Sequence, residues 1–265
     1  MGLQVPFGCN EGSITWEDAL PICLYCKVSA GPFNSVEHVI LESLGNQGLG
    51  GTPPMVLPKG VVCDKCNHEK LSALDAVLIE FPPISLMRTL YGVRSKSGGL
   101  PITKLGNARL RSLAPEGILI EPGSSKKAFQ FDRDKGRATM QHNSNLRMTP
   151  DYRRTITRSL FKMTLGVLYL GDPEVALSER FDPIRRMILG LDTFHGYFGV
   201  SKKAYRPTSN KGAIQLSYMF FENDRGEESV ACHFFFLGLG MFTDLEIREW
   251  NSPAGVPDFA TVLEF

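Results

Sequence analysis

Residues 34–46 read NSVEHVILESLGN. Val36, His38 and Ile40 alternate with Glu37, Val39 and Leu41 as in a short strand, and the run breaks at Gly45-Asn46. Neighbours on a strand point to opposite faces, so Glu37 and His38 are expected on its two sides. A carboxylate and an imidazole in the middle of an otherwise apolar run need a chemical reason.

The cysteines on either side supply a context. Cys23 and Cys26 ("CLYC") precede the strand, and Cys63 and Cys66 ("CDKC") follow it, giving C-x2-C-x36-C-x2-C. Each pair can present two thiolates from one tight turn, and two pairs complete a tetrahedral four-sulfur shell for zinc. Reduced free thiols are the alternative. An ion held by four thiolates is structural, because no position stays open for a substrate. Cys9 and Cys232 stand alone, and Cys232, in "VACHFFFLG", reads as a buried inert thiol.

At 265 residues, 43% hydrophobic and 22% charged, the chain has the composition of a globular protein with a sizeable core. Its net charge of +1 conceals three blocks. Residues 1–82 hold 4 Lys/Arg against 9 Asp/Glu, residues 83–160 hold 15 against 5, and residues 161–265 hold 10 against 14. The basic middle block is either the footprint of a polyanion or a solvated linker. The longest apolar run, "FFFLGLGMF", is about half of what a membrane span requires, so no membrane partner is expected. "MGLQVPFGC" lacks the pattern of a secretory signal, and Pro6 stands where a myristoylation signal has Ser or Thr. The expected setting is cytoplasmic and reducing, where paired cysteines bind metal rather than form disulfides.

Leu71, Leu74, Leu78 and Phe81 follow the second cysteine pair at helical spacing, and Pro82-Pro83 is read as the end of that helix. Residues 1–82 are therefore expected to form one zinc-stapled unit, and residues 83–265 a mixed α+β region that selects a target or partner. In the latter, "GILIEP", "KAFQFDR" and "GRATMQH" read as short strands, and 151–170 as a helix. A second helix is expected over about 173–189, and further strands at "GYFGVSK", "AIQLSYMFF" and "ESVACHFFFLG". Arg154, Arg158 and Lys162 fall at i, i+4 and i+8 of the first helix, a stripe that is either a solvated face or a phosphate contact. His142, His195 and His233 read as surface, loop and core residues.

"SVEHVILESLG" followed by "LPKGVVCDKCNHEK" resembles the HNH endonuclease family, in its variety with two zinc-binding cysteine pairs. The resemblance covers roughly residues 20 to 80. It implies a ββα-metal fold, two antiparallel strands and a helix around one divalent ion, and cleavage of phosphodiester bonds in nucleic acid, most often DNA. By the same resemblance His38 is the general base, and Glu37 and Asn67 are ligands of a catalytic Mg2+ or Mn2+. Lys70, near the Asn67 face of the helix, would reach a phosphate. His68 ranks below Asn67 as a ligand. Such hydrolysis needs a water deprotonated and an anionic pentavalent phosphate neutralised, which suit a neutral imidazole and a hard cation. Two positions depart from the pattern. Leu41 replaces the usual proline, and "PMVLPKGVV" lacks the asparagine that steadies the histidine's loop, for which Asn46 or a backbone carbonyl could substitute. The competing expectation is a non-catalytic zinc module that binds nucleic acid or protein.

Overall fold

The structure is a computed structural model and describes residues 21–46, 54–105, 108–114, 117–121, 129–132, 137–140, 149–193, 197–202, 214–222, 228–246 and 261–264. Cys9, His142, His195 and most of the glycine-rich loop after Asn46 lie outside these residues.

The fold is mixed α+β. Its first unit is the strand pair expected around His38. β1 (Glu37–His38) runs antiparallel to β2 (Val56–Leu57), with Glu37 opposite Leu57 and His38 opposite Val56. After Cys63 the chain winds through one wide turn, Cys66–Leu71, in which the Ser72 N–H reaches back to the Asn67 carbonyl. It continues as α1 (Ser72–Glu80), whose Leu74 and Leu78 are buried. The helix stops at Phe81 as expected, but Pro82 does more than stop it. Proline lacks the N–H that a first helical position leaves unpaired and has the right φ, so Pro82 opens α2 (Pro82–Leu90), an element the sequence reading omitted.

Residues 102–140 form two small antiparallel sheets. β3 (Ile102–Leu105), β4 (Ala108–Ser112) and β5 (Ile118–Glu121) make one, and β6 (Phe129–Asp132) with β7 (Arg137–Met140) makes the other. β5, β6 and β7 lie at the expected positions; β3 and β4 were missed. Thr103 on β3 joins the first sheet to α2 by hydrogen bonds to Thr89 (2.7 Å) and the Ser85 carbonyl (2.6 Å).

α3 (Pro150–Gly171) is the central element. Thr149 caps it by accepting from the Tyr152 N–H at 3.2 Å, and Pro150 opens it. From Ile156 to Leu168 it is buried almost all round, with α1 and α5 packed on it and the large sheet beside it. The single helix expected over 173–189 is broken. α4 (Pro173–Leu177), a short 3-10 turn and α5 (Asp182–Ile188) replace it, because Asp182-Pro183 restarts the helix after Ser178 leaves it. The C-terminal sheet has the order β12-β8-β11-β10-β9, all neighbours antiparallel. Its strands are β8 (Tyr197–Lys202), β9 (Ile214–Glu222), β10 (Glu228–Phe236), β11 (Leu239–Asp244) and β12 (Thr261–Glu264). The β10–β11 hairpin turns on Leu237 and Gly238, both with positive φ (50° and 90°), as a two-residue turn of matching twist requires.

One hydrophobic core runs from Cys23 to Leu245 and passes through the expected boundary between residues 82 and 83. Polar side chains reinforce that continuity. Arg185, nearly fully buried on α5, donates to the carbonyl of Leu24 at 2.8 Å and to that of Ser178 at 2.9 Å, and also to the Ala176 carbonyl. Ser159 of α3 donates to the Leu74 carbonyl of α1 at 2.9 Å. Gly166 faces Val39, the residue after His38, so closely that an added Cβ would sit 3.0 Å from a valine methyl. The cysteine-bearing segment is thus seated on α3 and α5 instead of standing apart.

Candidate metal centre and the His38 site

The four paired cysteines come together. Their sulfurs all lie within 4.8 Å of one another, and Cys26 Sγ is 3.7 Å from Cys63 Sγ. Four sulfurs placed about 2.3 Å from a tetrahedral zinc stand roughly 3.7 Å apart, so the observed separation fits such an ion. Backbone N–H groups already point at the sulfurs. Cys63 N donates to Cys23 Sγ and Cys66 N to Cys63 Sγ, both at 3.4 Å. Lys27, with φ of 59°, turns the first knuckle and donates its N–H to the Cys23 carbonyl at 2.9 Å. The second knuckle is tied to the first by Leu24 N donating to the Val61 carbonyl at 2.9 Å. Hydrogen bonding from Cys66 brings the Cys23 thiol down to about 5, whereas burial pushes Cys26 up to about 11 and the neighbouring Cys23, with burial, raises Cys66. These four cysteines could hold a metal ion such as zinc. Cys232 is the inert thiol the sequence suggests: fully buried, with burial pushing it up to about 12.

β1 does place Glu37 and His38 on opposite sides, and their surroundings differ sharply. Glu37 is 4% exposed and turns into the interior, where its Oε1 lies 2.5 Å from Lys162 Nζ. Lys162, with no exposed surface, also meets Asp75 Oδ1 of α1 at 2.6 Å. Tyr25, inside the first knuckle, donates its hydroxyl to the Lys162 carbonyl at 3.1 Å. Burial raises the carboxyl groups of both Glu37 and Asp75, and the ammonium opposes that shift. Lys162 stays charged: burial would lower it, but the two carboxylates outweigh that and hold it above its ordinary value.

His38 is half-buried on the other side. Its Nε2 lies 3.3 Å from Glu42 Oε1, and Glu42 Oε2 lies 3.0 Å from Lys96 Nζ. A carboxylate at Nε2 favours the proton there and the lone pair on Nδ1, which is buried and has no hydrogen-bond partner among the described residues. Burial lowers the imidazole below its ordinary value; Glu42 works against that, and Lys96 with it. Glu42, on the short turn Glu42–Leu44 that Gly45 closes, is therefore the residue that orients His38. Sequence reasoning missed it, although a carboxylate four residues beyond a histidine was visible. Asn46 has a different task. Its amide takes both backbone groups of Met55, accepting from the N–H at 3.0 Å and donating to the carbonyl at 3.2 Å. Val39 N donates to the same carbonyl at 3.0 Å, so Asn46 pins the start of β2 beside β1 without touching His38.

The remaining expected site residues contact the segment just before Glu37 or lie at the surface. Asn67 Nδ2 donates to the Val36 carbonyl at 3.2 Å, near the surface. His68 Nε2 pairs with Ser35 Oγ at 3.0 Å, and Lys70 is exposed. Among the described residues, the four cysteines are the one group of three or more His, Cys, Asp or Glu side chains whose ligand atoms gather tightly enough for a metal. Glu37 and Asn67, as placed, do not fit a shared divalent ion, because an ammonium already faces the carboxylate. The basic stripe on α3 also needs correcting. Arg154 pairs with Asp151 at 2.7 Å, Arg158 donates to the Ile188 carbonyl at 2.8 Å, and Lys162 is in the core, so the three make no common face for a phosphate. The stripe fails because α3 is buried almost all round from Ile156 to Leu168, which takes Lys162 into the core, a setting that i, i+4, i+8 spacing cannot reveal.

No family model, curated protein or solved structure matches the chain. No helix among the described residues is long and apolar enough to cross a membrane.

Proposed function

We propose that this chain is an HNH-type endonuclease that hydrolyses phosphodiester bonds in nucleic acid, DNA foremost, with a structural zinc on Cys23, Cys26, Cys63 and Cys66. The observation that carries this reading is the His38–Glu42 pair at the end of a two-residue antiparallel strand pair leading into a cysteine-anchored helix. In that setting burial keeps His38 neutral near pH 7, the charge state a general base needs, and because Glu42 holds Nε2 and Nδ1 is covered, Nδ1 would have to be uncovered before it could take a proton from an attacking water. Lys70, exposed at the start of the helix, is available to a phosphate oxygen, and the basic block of residues 83–160 adds salt-sensitive affinity for the backbone. A divalent ion, when bound, neutralises the pentavalent phosphate and the leaving oxygen. No step is assigned to it here, because Glu37 faces Lys162.

The test is nicking of supercoiled DNA, with RNA in parallel, by zinc-loaded protein in Mg2+ or Mn2+. His38→Ala should abolish cleavage while zinc content and fold stay intact. The second reading is a zinc module that binds nucleic acid or protein without cutting it, and the ion pair on Glu37 is what favours it. It prevails if the wild-type protein cuts neither DNA nor RNA with any divalent ion.

A further inference from the structure

We propose that the Lys162 ammonium is the resident cation of Glu37 and Asp75, standing where the HNH reading expects a divalent ion, and that such an ion reaches Glu37 only when Lys162 leaves. The inference rests on that reading for the expectation of an ion at Glu37, and on the position of Lys162 for what is there instead.

Three observations carry it. First, one Nζ sits 2.5 Å from Glu37 Oε1 and 2.6 Å from Asp75 Oδ1, with the two carboxylates contributed by different elements, β1 and α1. Two carboxylates converging on one point from separate elements is how a protein holds a hard cation, and here the cation is part of the chain. Second, the lysine is held from behind. α3 is fixed against α1 by Ser159 on the Leu74 carbonyl (2.9 Å), Tyr25 holds the Lys162 carbonyl (3.1 Å), and Gly166 lets the helix rest on Val39. A backbone anchored at these points cannot withdraw the side chain by a local shift. Third, Lys162 has no exposed surface and Glu37 has 4%, so a hydrated Mg2+, which gives up its waters reluctantly, meets the group only at Asp75, whose side chain is 24% exposed, and not at the Glu37 carboxylate. Asn67, the other expected ligand, donates its Nδ2 to the Val36 carbonyl, a bond that does not involve its Oδ1.

The consequence concerns regulation of the same site. If the chain cuts nucleic acid through an ion on Glu37, the described state is the resting one, and the C-terminal region holds the switch through α3.

The experiment is Mn2+ binding followed by electron paramagnetic resonance on zinc-loaded protein without nucleic acid, in wild type, Glu37→Gln, Lys162→Ala and Lys162→Ala with Glu37→Gln. Wild type and Glu37→Gln should bind Mn2+ equally weakly. Lys162→Ala should bind at least tenfold tighter, and the double variant should lose that gain. Wild-type binding that Glu37→Gln removes overturns the proposal, as does a folded Lys162→Ala that binds no better than wild type. Should Lys162→Ala fail to fold, the comparison of wild type with Glu37→Gln decides alone. Failure of the nuclease reading looks different: no variant nicks DNA, whatever Mn2+ does at Glu37.

Discussion

Lys162 Nζ lies 2.5 Å from Glu37 Oε1, with both side chains inside the protein and Asp75 closing the group at 2.6 Å. A buried charge that loses its partner is far more costly than a buried pair replaced as a unit. Lys162→Met should therefore lower stability by about 3–5 kcal/mol. Adding Glu37→Gln and Asp75→Asn should return most of it, since neutral amides tolerate a dry setting better than carboxylates. Urea unfolding midpoints of the single and triple variants check this. Equal losses would mean that packing, rather than charge, sets the cost.

Metal removal is predicted to loosen the cysteine knuckles and the strand they flank. Ligand deprotonation couples ion binding to folding, so stripping zinc with a strong chelator, or making Cys63→Ser, should lower the melting temperature and release the ion. Zinc analysis beside thermal unfolding measures both. Cys232→Ser should leave zinc content unchanged, because Cys232 lies buried on β10, apart from the cluster.

Arg185 ties the first knuckle to α5 through the Leu24 carbonyl, and it also holds the carbonyls of Ser178 and Ala176. Arg185→Met keeps much of the bulk but takes the donor from the Leu24 and Ala176 carbonyls, whereas the Ser178 carbonyl keeps the Phe181 N–H at 3.4 Å. Unsatisfied buried polar groups cost roughly 1–3 kcal/mol each, so a loss of at least about 2 kcal/mol is expected. Faster transfer of zinc to a colorimetric chelator should accompany it, which a purely remote packing defect would not produce.

The pH dependence follows from the lowered His38. In the folded chain burial holds its imidazole below the ordinary value of 6.5. As pH falls through that value the unfolded chain takes up a proton that the folded imidazole refuses, so stability drops until the folded group also protonates. His38→Gln removes this contribution. Between pH 7.5 and pH 5 the variant should lose less stability than wild type by denaturant titration, and equal losses would refute the assignment. Activity, in the nuclease reading, should keep its alkaline plateau down to a pH below the usual histidine value.

What the sequence revealed depended on how local the signal is. The cysteine spacing foretold a cluster because two C-x2-C turns are self-contained, and the alternation at Glu37-His38 foretold opposite surroundings for the two groups. Pro82 misled because one residue type can both end a helix and begin the next. β3 and β4 escaped notice although Ala108, Leu110 and Ser112 alternate with the exposed Arg109 and Arg111 as in a half-buried strand. Lys162 could not be placed at all. Its spacing with Arg154 and Arg158 suggested a surface stripe, whereas its carboxylate partner Asp75 is 87 residues away, a pairing that only the tertiary fold creates.

That distance also bears on how the chain comes into being. Synthesis delivers Glu37, both cysteine pairs and Asp75 well before Lys162 leaves the ribosome. Until α3 emerges, the two acidic groups have no ammonium to neutralise them, and the strand that bears His38 has no Gly166 to rest against. The front segment can gather its four cysteines early, yet its interior can close only around a helix made later, so the first unit of the chain is finished by one of its middle elements.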